Sequence, residues 1–170
     1  MTIQIPLSRG GFALIDDADE EAVRQYSAWW VIESPSMHLP SYYARGSRAG
    51  DRSKPLMHKL LTDWALVDHI NGNGLDNRRE NLREATRNQN MWNRRKGGAT
   101  TSRFKGVSRY PQDHSRWIAS IAVERRKHHL GIFANEVNAA IAYDTAARFH
   151  FGEFAALNFP EPGERGALAA

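Results

Sequence analysis

The chain has 170 residues, a formal net charge of +4 and no cysteine. That length allows one compact domain or two small ones, and hydrophobic and charged fractions of 41% and 25% exclude a disordered tail. Without cysteine, disulfides and thiolate zinc sites are excluded, and oxygen and imidazole groups are left as metal ligands. No apolar run approaches the roughly 18 residues of a membrane helix, so we expect no membrane contact. Residues 1–20 mix Arg9 with four acidic residues and lack a long apolar core, so we expect no signal peptide there.

Charge is unevenly distributed along the chain. Residues 75–130 carry 14 Lys and Arg against 5 Asp and Glu, whereas the remainder carries 9 against 14. A basic block beside an acid-rich one indicates a surface for a polyanion. A solvated basic face would explain the charge alone equally well, so sequence motifs are needed to distinguish it from a binding surface.

The first third of the chain predicts a β-rich base. Apolar side chains flank the Gly10-Gly11 turn, which is the pattern of a β-hairpin, and acidic residues then begin a short helix. The aromatic residues that follow could stack on bases, but paired aromatics in strands are more often core. The predicted elements are a hairpin at 2–15, a helix from Asp16 or Asp17, a second hairpin at 28–33 and 41–45, and loops at 35–40 and 46–55.

The central segment alternates apolar strands with polar turns. An apolar strand at 64–70 ends on Asp68 and His69, and the N-G-N-G sequence after it forces a sharp turn. A return strand at 82–86 and a helix at 87–95 complete a strand–loop–strand–helix order that would place Asp68 and His69 opposite Asn90. A short amphipathic segment precedes this unit, and its His58 reads as a packing residue.

The last third predicts a three-stranded antiparallel sheet packed on one helix. Strands at 104–109, 116–124 and 127–133 alternate so that Trp117 falls on the core face. Asn135 caps the helix, which runs through Ala147 and is followed by Gly152. The expected packing side of the helix consists of Val137, Ala140, Ile141 and Ala147, and the other core positions of the middle strand are Ala119, Ile121 and Val123.

The whole chain is therefore expected to be α+β, with two domains joined by a short linker. The small, polar composition of residues 97–102 is typical of a flexible connection. The expected divisions are a first domain at 1–96 with its core at about 64–95, a linker at 97–102, a second domain at 103–160 and an unstructured tail at 161–170.

Four motifs at the centre appear together: M-H-K-L, V-D-H-I-N-G-N, D-N-R-R-E-N-L-R and A-T-R-N-Q-N. With these, residues 56–95 resemble HNH endonucleases of the phage and intron-encoded homing branch. The resemblance implies a ββα-metal fold that binds one divalent ion, Mg²⁺ with Mn²⁺ as the alternative, and no zinc. By position, His69 would be the general base, Asn81 would hold the loop and orient His69, and Asp68 and Asn90 would be the metal ligands.

Those roles agree with the chemistry of the side chains. A carboxylate and an amide oxygen suit Mg²⁺, and they leave coordination positions for phosphate and water. An imidazole with an ordinary pKa of about 6.5 can accept a proton near neutrality. Arg83 and Arg87 could clamp phosphate, although a solvated role explains either of them equally well.

A second set of motifs lies in residues 102–160: F-K-G-V-S-R-Y, R-W-I-A-S-I, H-L-G-I-F and E-V-N-A-A-I-A-Y-D-T-A-A. They resemble the plant Apetala-two/ethylene-response-factor type of DNA-binding domain, which lays its sheet in the major groove. The resemblance implies double-stranded DNA as the partner, with phosphate contacts from Lys105, Arg109, Arg116 and Lys127. The positions on the expected DNA-facing side are Lys105, Ser108, Tyr110, Arg116, Ser120, Ala122, Lys127 and His129.

The two resemblances together predict a metal-dependent endonuclease acting on duplex DNA, without a small-molecule cofactor. We expect a cytoplasmic protein of bacterial or phage origin that is a monomer, nicking one strand, or a weak dimer, cutting both. Two alternatives stay open. One is a DNA-binding transcriptional regulator with an inactive HNH centre, and the other is an RNA-binding module that uses the aromatic residues of the first third.

Overall fold

A computed structural model describes residues 1–34, 41–50, 52–97 and 101–167. The chain divides into two compact units, Met1–Arg87 and Asn88–Ala170, both of mixed α and β structure. The loop predicted at 35–40 and residues 98–100 of the predicted linker lie outside the described residues, and the domain boundaries stay a prediction. No helix in the described part of the chain is long and apolar enough to span a membrane.

The first unit consists of two hairpins followed by the two short strands that the sequence predicts before the helix α3 (Arg87–Trp92). Each hairpin is a two-stranded antiparallel sheet. The regular elements are β1 Thr2–Pro6, β2 Phe12–Asp16, a 3-10 turn Asp17–Asp19, α1 Glu20–Arg24, β3 Ala28–Ser34, β4 Ser41–Ser47, α2 Met57–Leu61, β5 Val67–His69, a 3-10 turn Arg79–Asn81, β6 Leu82–Glu84 and, at the junction of the units, α3 Arg87–Trp92.

A single apolar core holds the hairpins of the first unit together. It gathers Ile5, Ile15, Val23, Trp29 and Met57 from five elements. The expectation that the aromatic pairs are mainly core is correct for Trp29, which is 4% exposed, but not for Tyr42, which is 46% exposed.

The strand predicted at 64–70 is shorter than expected. Only Val67–His69 pairs with β6, and residues 64–66 of the predicted strand form no strand. The Nζ of Lys59 in α2 donates to the backbone oxygens of Trp64 and Ala65, and this contact holds the stretch before β5. Apolar periodicity cannot distinguish such a packed connection from a strand.

The second unit is a three-stranded antiparallel sheet packed on one long helix, in the order β7 (Val107–Tyr110), β8 (Asp113–Val123) and β9 (Arg126–Phe133). A tight turn with two left-handed residues, Glu124 and Arg125, joins β8 to β9. The elements are β7 Val107–Tyr110, β8 Asp113–Val123, β9 Arg126–Phe133, α4 Glu136–Phe151, a 3-10 turn Gly152–Phe154, β10 Ala156–Leu157 and β11 Arg165–Gly166.

The two faces of this sheet follow the predicted alternation. Trp117, Ala119 and Ile121 are buried against the helix, whereas Arg116 and Ala122 are exposed on the other face. The predicted cap of α4 is also confirmed, because the Asn135 side chain accepts a hydrogen bond from the backbone of Asn138 at 2.8 Å. The alternation of side chains along a strand is therefore sufficient to assign both faces.

The predicted packing side of α4 is only half correct. Ala140 and Ala147 are fully buried, but Val137 and Ile141 are 44% and 50% exposed. The buried stripe follows the 3.6-residue period from Ala139 and Ala140 through Tyr143 and Ala147 to Phe151, so small residues and one tyrosine contact the sheet. The prediction is wrong for Val137 and Ile141 because they lie outside this stripe.

The prediction of an unstructured tail from residue 161 is wrong for its described part. β11 pairs in parallel with β10, and the backbone N–H of Ala167 donates to the oxygen of Leu157. Arg148 of α4 forms an ion pair with Glu164 at 2.7 Å, which holds the segment against the helix. The tail residues are too polar for hydrophobic periodicity to reveal this pairing.

Candidate active site

The buried Asp68-His69 pair stands at the end of β5. The two side chains are 7% and 5% exposed, which is unusual for ionisable groups. In the antiparallel ladder, Asp68 lies opposite Arg83 and His69 lies opposite Leu82. The short β5–β6 ladder therefore fixes the backbone beneath both predicted functional side chains.

Arg83 is the direct partner of Asp68. Its Nε and Nη2 atoms donate to Oδ2 of Asp68 at 2.9 and 2.8 Å, and both side chains are largely buried. A cross-strand pair of opposite charges in this register stabilises the ladder. Arg83 therefore neutralises the predicted metal ligand, and its predicted phosphate contact would require the guanidinium to leave or share that carboxylate.

Asn81 binds the backbone of the loop between the two strands. Its Oδ1 accepts from the N–H of Asn71 at 2.9 Å, and its Nδ2 donates to the oxygen of Asp76 at 2.7 Å. Its own backbone oxygen accepts from the N–H of Ile70. These contacts close the loop directly after His69, which is the loop-holding half of the role expected for Asn81.

Two glycines give this loop its shape. Gly72 has a φ of 68°, in the left-handed region that other residues avoid. A Cβ at Gly74 would lie 2.4 Å from the backbone oxygen of Tyr42 and 2.5 Å from the ring of Tyr43. Gly72 is thus required for the turn, and Gly74 is required for close packing on β4.

The orienting contact to His69 comes from Asn77, which the sequence motifs did not single out. Asn77 is fully buried, and its Oδ1 lies 3.3 Å from Nε2 of His69. Its backbone N–H donates to the oxygen of Leu14 on β2, so the first hairpin fixes its place. The only sequence signal was an asparagine directly before two arginines, which also suits an ordinary polar loop.

Further contacts hold the loop to the first hairpin. Arg79 forms two hydrogen bonds to the carboxylate of Asp19, at 2.9 and 2.7 Å, and its backbone N–H donates to Asp16. Asp76 binds Arg78 and Asn71 in the same loop. The acidic residues at the end of β2 and in the 3-10 turn after it therefore support the loop that carries Asn77.

An aromatic group surrounds the His69 ring. The His58 ring lies edge-on to it at 5.1 Å between centroids, and the Tyr43 ring contacts both histidines at 5.4 and 5.8 Å. Nδ1 of His58 is buried and makes no hydrogen bond with the described residues. Two rings, from β4 and α2, therefore restrict the rotation of the His69 side chain.

Burial keeps both histidines neutral. Desolvation, with smaller contributions from His69 and Lys59, lowers the pKa of His58 to about 3. Desolvation also lowers the pKa of His69, although its hydrogen bond to Asn77 and the carboxylates of Asp68 and Asp76 oppose this effect. A neutral imidazole is the form that can accept a proton.

The second predicted metal ligand, Asn90, belongs to the other unit, on the helix α3. The described residues contain no group of three or more His, Asp or Glu side chains that could hold a metal ion. A carboxylate and an amide oxygen nevertheless fit Mg²⁺, which usually keeps several waters and substrate oxygens in its coordination shell. Oxygen donors of this chemical type suit such an ion, and the metal site itself stays a prediction.

Three predicted DNA contacts lie on one exposed face. Arg116, Lys127 and His129 are exposed, and the register places His129 opposite Ser120 and Lys127 opposite Ala122. This is the sheet face that does not pack on α4. The face therefore presents basic groups to solvent, as the sequence predicts.

The remaining predicted DNA contacts lie elsewhere. Arg87 is exposed at the start of α3. Arg109 pairs with Trp117 on the helix side of the sheet, and its guanidinium lies 3.8 Å from the centre of that ring. Lys105 is partly buried, with Nζ bonded to the backbone oxygens of Trp92 and Arg94, and burial lowers its pKa to about 8.

Comparisons with known proteins relate part of the chain to HNH endonucleases. Residues 65–92 match the family model of HNH endonucleases. An uncharacterized HNH endonuclease of Acanthamoeba polyphaga mimivirus is 38% identical over 92 residues, 54% of this chain and 46% of that protein. The chain thus spans less than half the length of that relative. The loop and the buried Asp-His pair therefore lie in an HNH endonuclease domain.

Two other relatives extend the comparison. Protein 3.8 of Escherichia phage T7 is 32% identical over 89 residues, 52% of this chain and 72% of that protein, and the chain belongs to the same family. An AP2/ERF and B3 domain-containing protein of Oryza sativa is 47% identical over 60 residues, 35% of this chain and 16% of that protein. No solved structure is significantly similar to the chain.

Proposed function

We propose that the chain is an endonuclease that hydrolyses phosphodiester bonds of duplex DNA with one divalent metal ion. The observation that carries this proposal is the buried Asp68-His69 pair, whose imidazole is bonded to Asn77 inside the segment that matches HNH endonucleases. A buried pair of ionisable groups costs stability, so a structural role alone is a poor explanation for it.

His69 acts as the general base in this proposal. An amide oxygen can only accept a hydrogen bond, so the contact with Asn77 requires the proton of the neutral ring to be on Nε2. The lone pair is then on Nδ1, which would take a proton from the attacking water. Asn77 and the neighbouring rings keep this nitrogen in one orientation.

Asp68 and Asn90 would hold the metal ion. When bound, a divalent ion would stabilise the charge that develops on the phosphate and on the leaving 3′ oxygen. Asp68 supplies a negative charge and Asn90 a neutral oxygen, so the protein itself adds little repulsion to the approaching phosphate. Arg83 balances Asp68 before the ion arrives.

The exposed face of the β7–β8–β9 sheet would bind the DNA backbone. Arg116 and Lys127 are positively charged and exposed, and similarity to the AP2/ERF domain-containing protein supports a DNA partner. Contacts of this kind add affinity without reading sequence. In this proposal, the enzyme is an HNH endonuclease of the homing type or a free-standing phage or prophage relative of that type.

Cleavage of supercoiled plasmid tests the function. The full chain with Mg²⁺ or Mn²⁺ should convert the plasmid to relaxed circles if it nicks, or to linear DNA if it cuts both strands, and EDTA should stop the reaction. Boiled protein and the Asp68→Asn variant are the controls. If no metal supports cleavage by a preparation that binds the same DNA, the enzyme proposal is wrong.

A transcriptional regulator with an inactive centre is the second candidate. The observation that favours it is the ion pair that already occupies Oδ2 of Asp68. Intact DNA binding together with an uncut plasmid would support this candidate. The wild-type chain should in that case bind DNA equally well with and without divalent ions.

A further inference from the structure

α3, the helix that carries Asn90, is too short to be stable alone. It has six residues, whereas isolated helices need roughly 12 or more to be marginally stable in water. The place of Asn90 therefore depends on what packs against α3. Within the second unit, that support comes from the sheet and from α4.

One support is an aromatic stack. The ring of Trp92, the last residue of α3, stacks on that of Phe151 at 4.6 Å between centroids and an interplanar angle of 13°. Phe151 is 6% exposed and belongs to the core between β8 and α4. The end of α3 is thus anchored in the hydrophobic core of the second unit.

The other support is Lys105. Its Nζ donates to the backbone oxygens of Trp92 at 2.7 Å and Arg94 at 2.8 Å, which lie at and just beyond the end of α3. Carbonyls at a helix end lack partners within the helix and carry a partial negative charge, so a cation there stabilises it. Burial of the ammonium group strengthens these bonds because little water competes for them.

The backbone of Lys105 is itself fixed to α4. Its N–H donates to Oδ1 of Asn158 at 2.7 Å, and its oxygen accepts from Nδ2 of that residue at 3.1 Å. Asp144 of α4, which is 1% exposed, accepts from both the backbone and the side chain of Asn158. A continuous series of hydrogen bonds therefore joins α4 to the end of α3.

Asn90 does not belong to the residues of α3 that make this support. Asn88, Met91 and Trp92 line a pocket of about 200 Å³ together with Lys105. Asn90 is roughly 200° around the helix axis from both Asn88 and Trp92. Its side chain is half-buried instead of buried.

We propose that Lys105 is a positioning residue for metal binding at Asn90, because it ties the end of α3 to the DNA-binding unit. The inference rests on the proposed nuclease function. It replaces the DNA contact expected for Lys105 with an internal one. The unit that binds DNA would thereby also hold one metal ligand in place, in addition to supplying affinity.

The test measures metal binding separately from cleavage. Mn²⁺ binding is followed by electron paramagnetic resonance in the full chain carrying His69→Ala, bound to a duplex that the wild-type chain cuts. Lys105→Met, which keeps the aliphatic stem but removes the donor, should weaken Mn²⁺ binding by roughly 10-fold or more, as loss of a residue supporting a metal ligand typically does. Lys105→Arg, which keeps a donor, should restore part of that affinity.

Two matched variants separate the other roles of a lysine. Lys127→Met on the exposed face should reduce DNA affinity and leave Mn²⁺ affinity unchanged. Arg148→Met breaks an ion pair in the same unit, so it should lower thermal stability and also leave Mn²⁺ affinity unchanged. If Lys105→Met does not fold, Trp92→Leu tests the same support and should weaken Mn²⁺ binding in the same direction.

The outcomes distinguish the two proposals. If Lys105→Met leaves Mn²⁺ binding unchanged and lowers DNA affinity as Lys127→Met does, Lys105 is a DNA contact and the positioning role is wrong. A folded Trp92→Leu variant with wild-type Mn²⁺ affinity also contradicts the positioning role. If the wild-type chain neither binds Mn²⁺ nor cuts DNA, the nuclease proposal itself fails, and this inference fails with it.

Discussion

Around His69, the polar side chains are buried and hydrogen-bonded to one another, whereas on the outer face of the β7–β8–β9 sheet they are exposed. The imidazole is bonded to Asn77 and restricted by two neighbouring rings. Arg116 and Lys127 of the sheet extend into solvent.

This difference in burial suits the two regions to different functions. A buried group in one orientation suits chemistry, because its geometry and protonation state are both fixed before the substrate arrives. Exposed cations suit attraction to a charged backbone, to which each adds a small and nearly independent amount. Single substitutions should therefore have large effects around His69 and small ones on the sheet.

Replacing the residue that orients the imidazole should have a larger effect than any substitution on the sheet. Asn77→Leu keeps a similar volume but removes the acceptor for Nε2, so the ring can adopt the wrong tautomer. We expect kcat to fall roughly 10- to 100-fold, the range found when a partner that orients a functional histidine is removed. KM and DNA affinity should not change. Single-turnover cleavage measures the effect.

Asn73→Ala is the matched control, because Asn73 is an exposed asparagine in the same loop. It should retain most of the activity. A folded Asn77→Leu variant with wild-type kcat would show that Asn77 does not orient the base.

The buried His58 should make the first unit sensitive to acid. Its pKa is about 3 in the folded chain against an ordinary 6.5, so between these values only the unfolded chain binds the proton. The contribution of neutral His58 to the free energy of unfolding is present above pH 6.5 and is lost as the pH falls below that value. At pH 5.5 the loss in the free energy of unfolding should be about 1.4 kcal/mol. His58→Phe, which keeps a ring beside His69, should remove this loss.

Urea unfolding at pH 7.5 and 5.5 measures the difference between wild type and variant. His114→Phe, at an exposed position of β8, is the control and should keep the wild-type pH dependence. Equal pH dependence in wild type and His58→Phe would mean that His58 is not buried as a neutral group.

Substitutions on the exposed sheet face should have the smallest effect. Lys127→Ala and Arg116→Ala should each lower DNA affinity a few-fold at low salt. The slope of log affinity against log salt should become shallower by about 0.9 for each phosphate interaction that a substitution removes. Gel-shift titrations at several salt concentrations measure it.

Arg148→Ala removes a cation that is already paired with Glu164, so it should leave the salt dependence unchanged. If Lys127→Ala and Arg116→Ala also left the slope unchanged, the sheet would not face the DNA.

Local patterns predicted much of this fold. The Gly10-Gly11 turn, the Asn135 cap and the alternation around Trp117 depend on residues near each other in sequence, and the structure confirms all three. The position of Asp68 and His69 at the end of β5 was predicted in the same way, because an apolar run that stops at two ionisable residues marks a strand end. These features need no knowledge of distant contacts.

The residues whose roles the sequence did not reveal depend on contacts between distant segments. Asn77 is placed by a backbone bond to Leu14, and Lys105 is turned inward by Trp92 and Arg94. The Asp68–Arg83 pair required the register of a three-residue ladder, which sequence alone determines poorly. A lysine or asparagine in a basic, polar stretch looks the same whether it is exposed or buried.

The most direct test of the buried base is His69→Ala measured for cleavage and binding on the same duplex. We predict that this variant binds the DNA with the affinity of the wild-type chain but cuts it at least about 100-fold more slowly, the usual minimum for loss of a general base. Cleavage by the variant at the wild-type rate would contradict this role, because the chemistry would then have to come from a group other than His69.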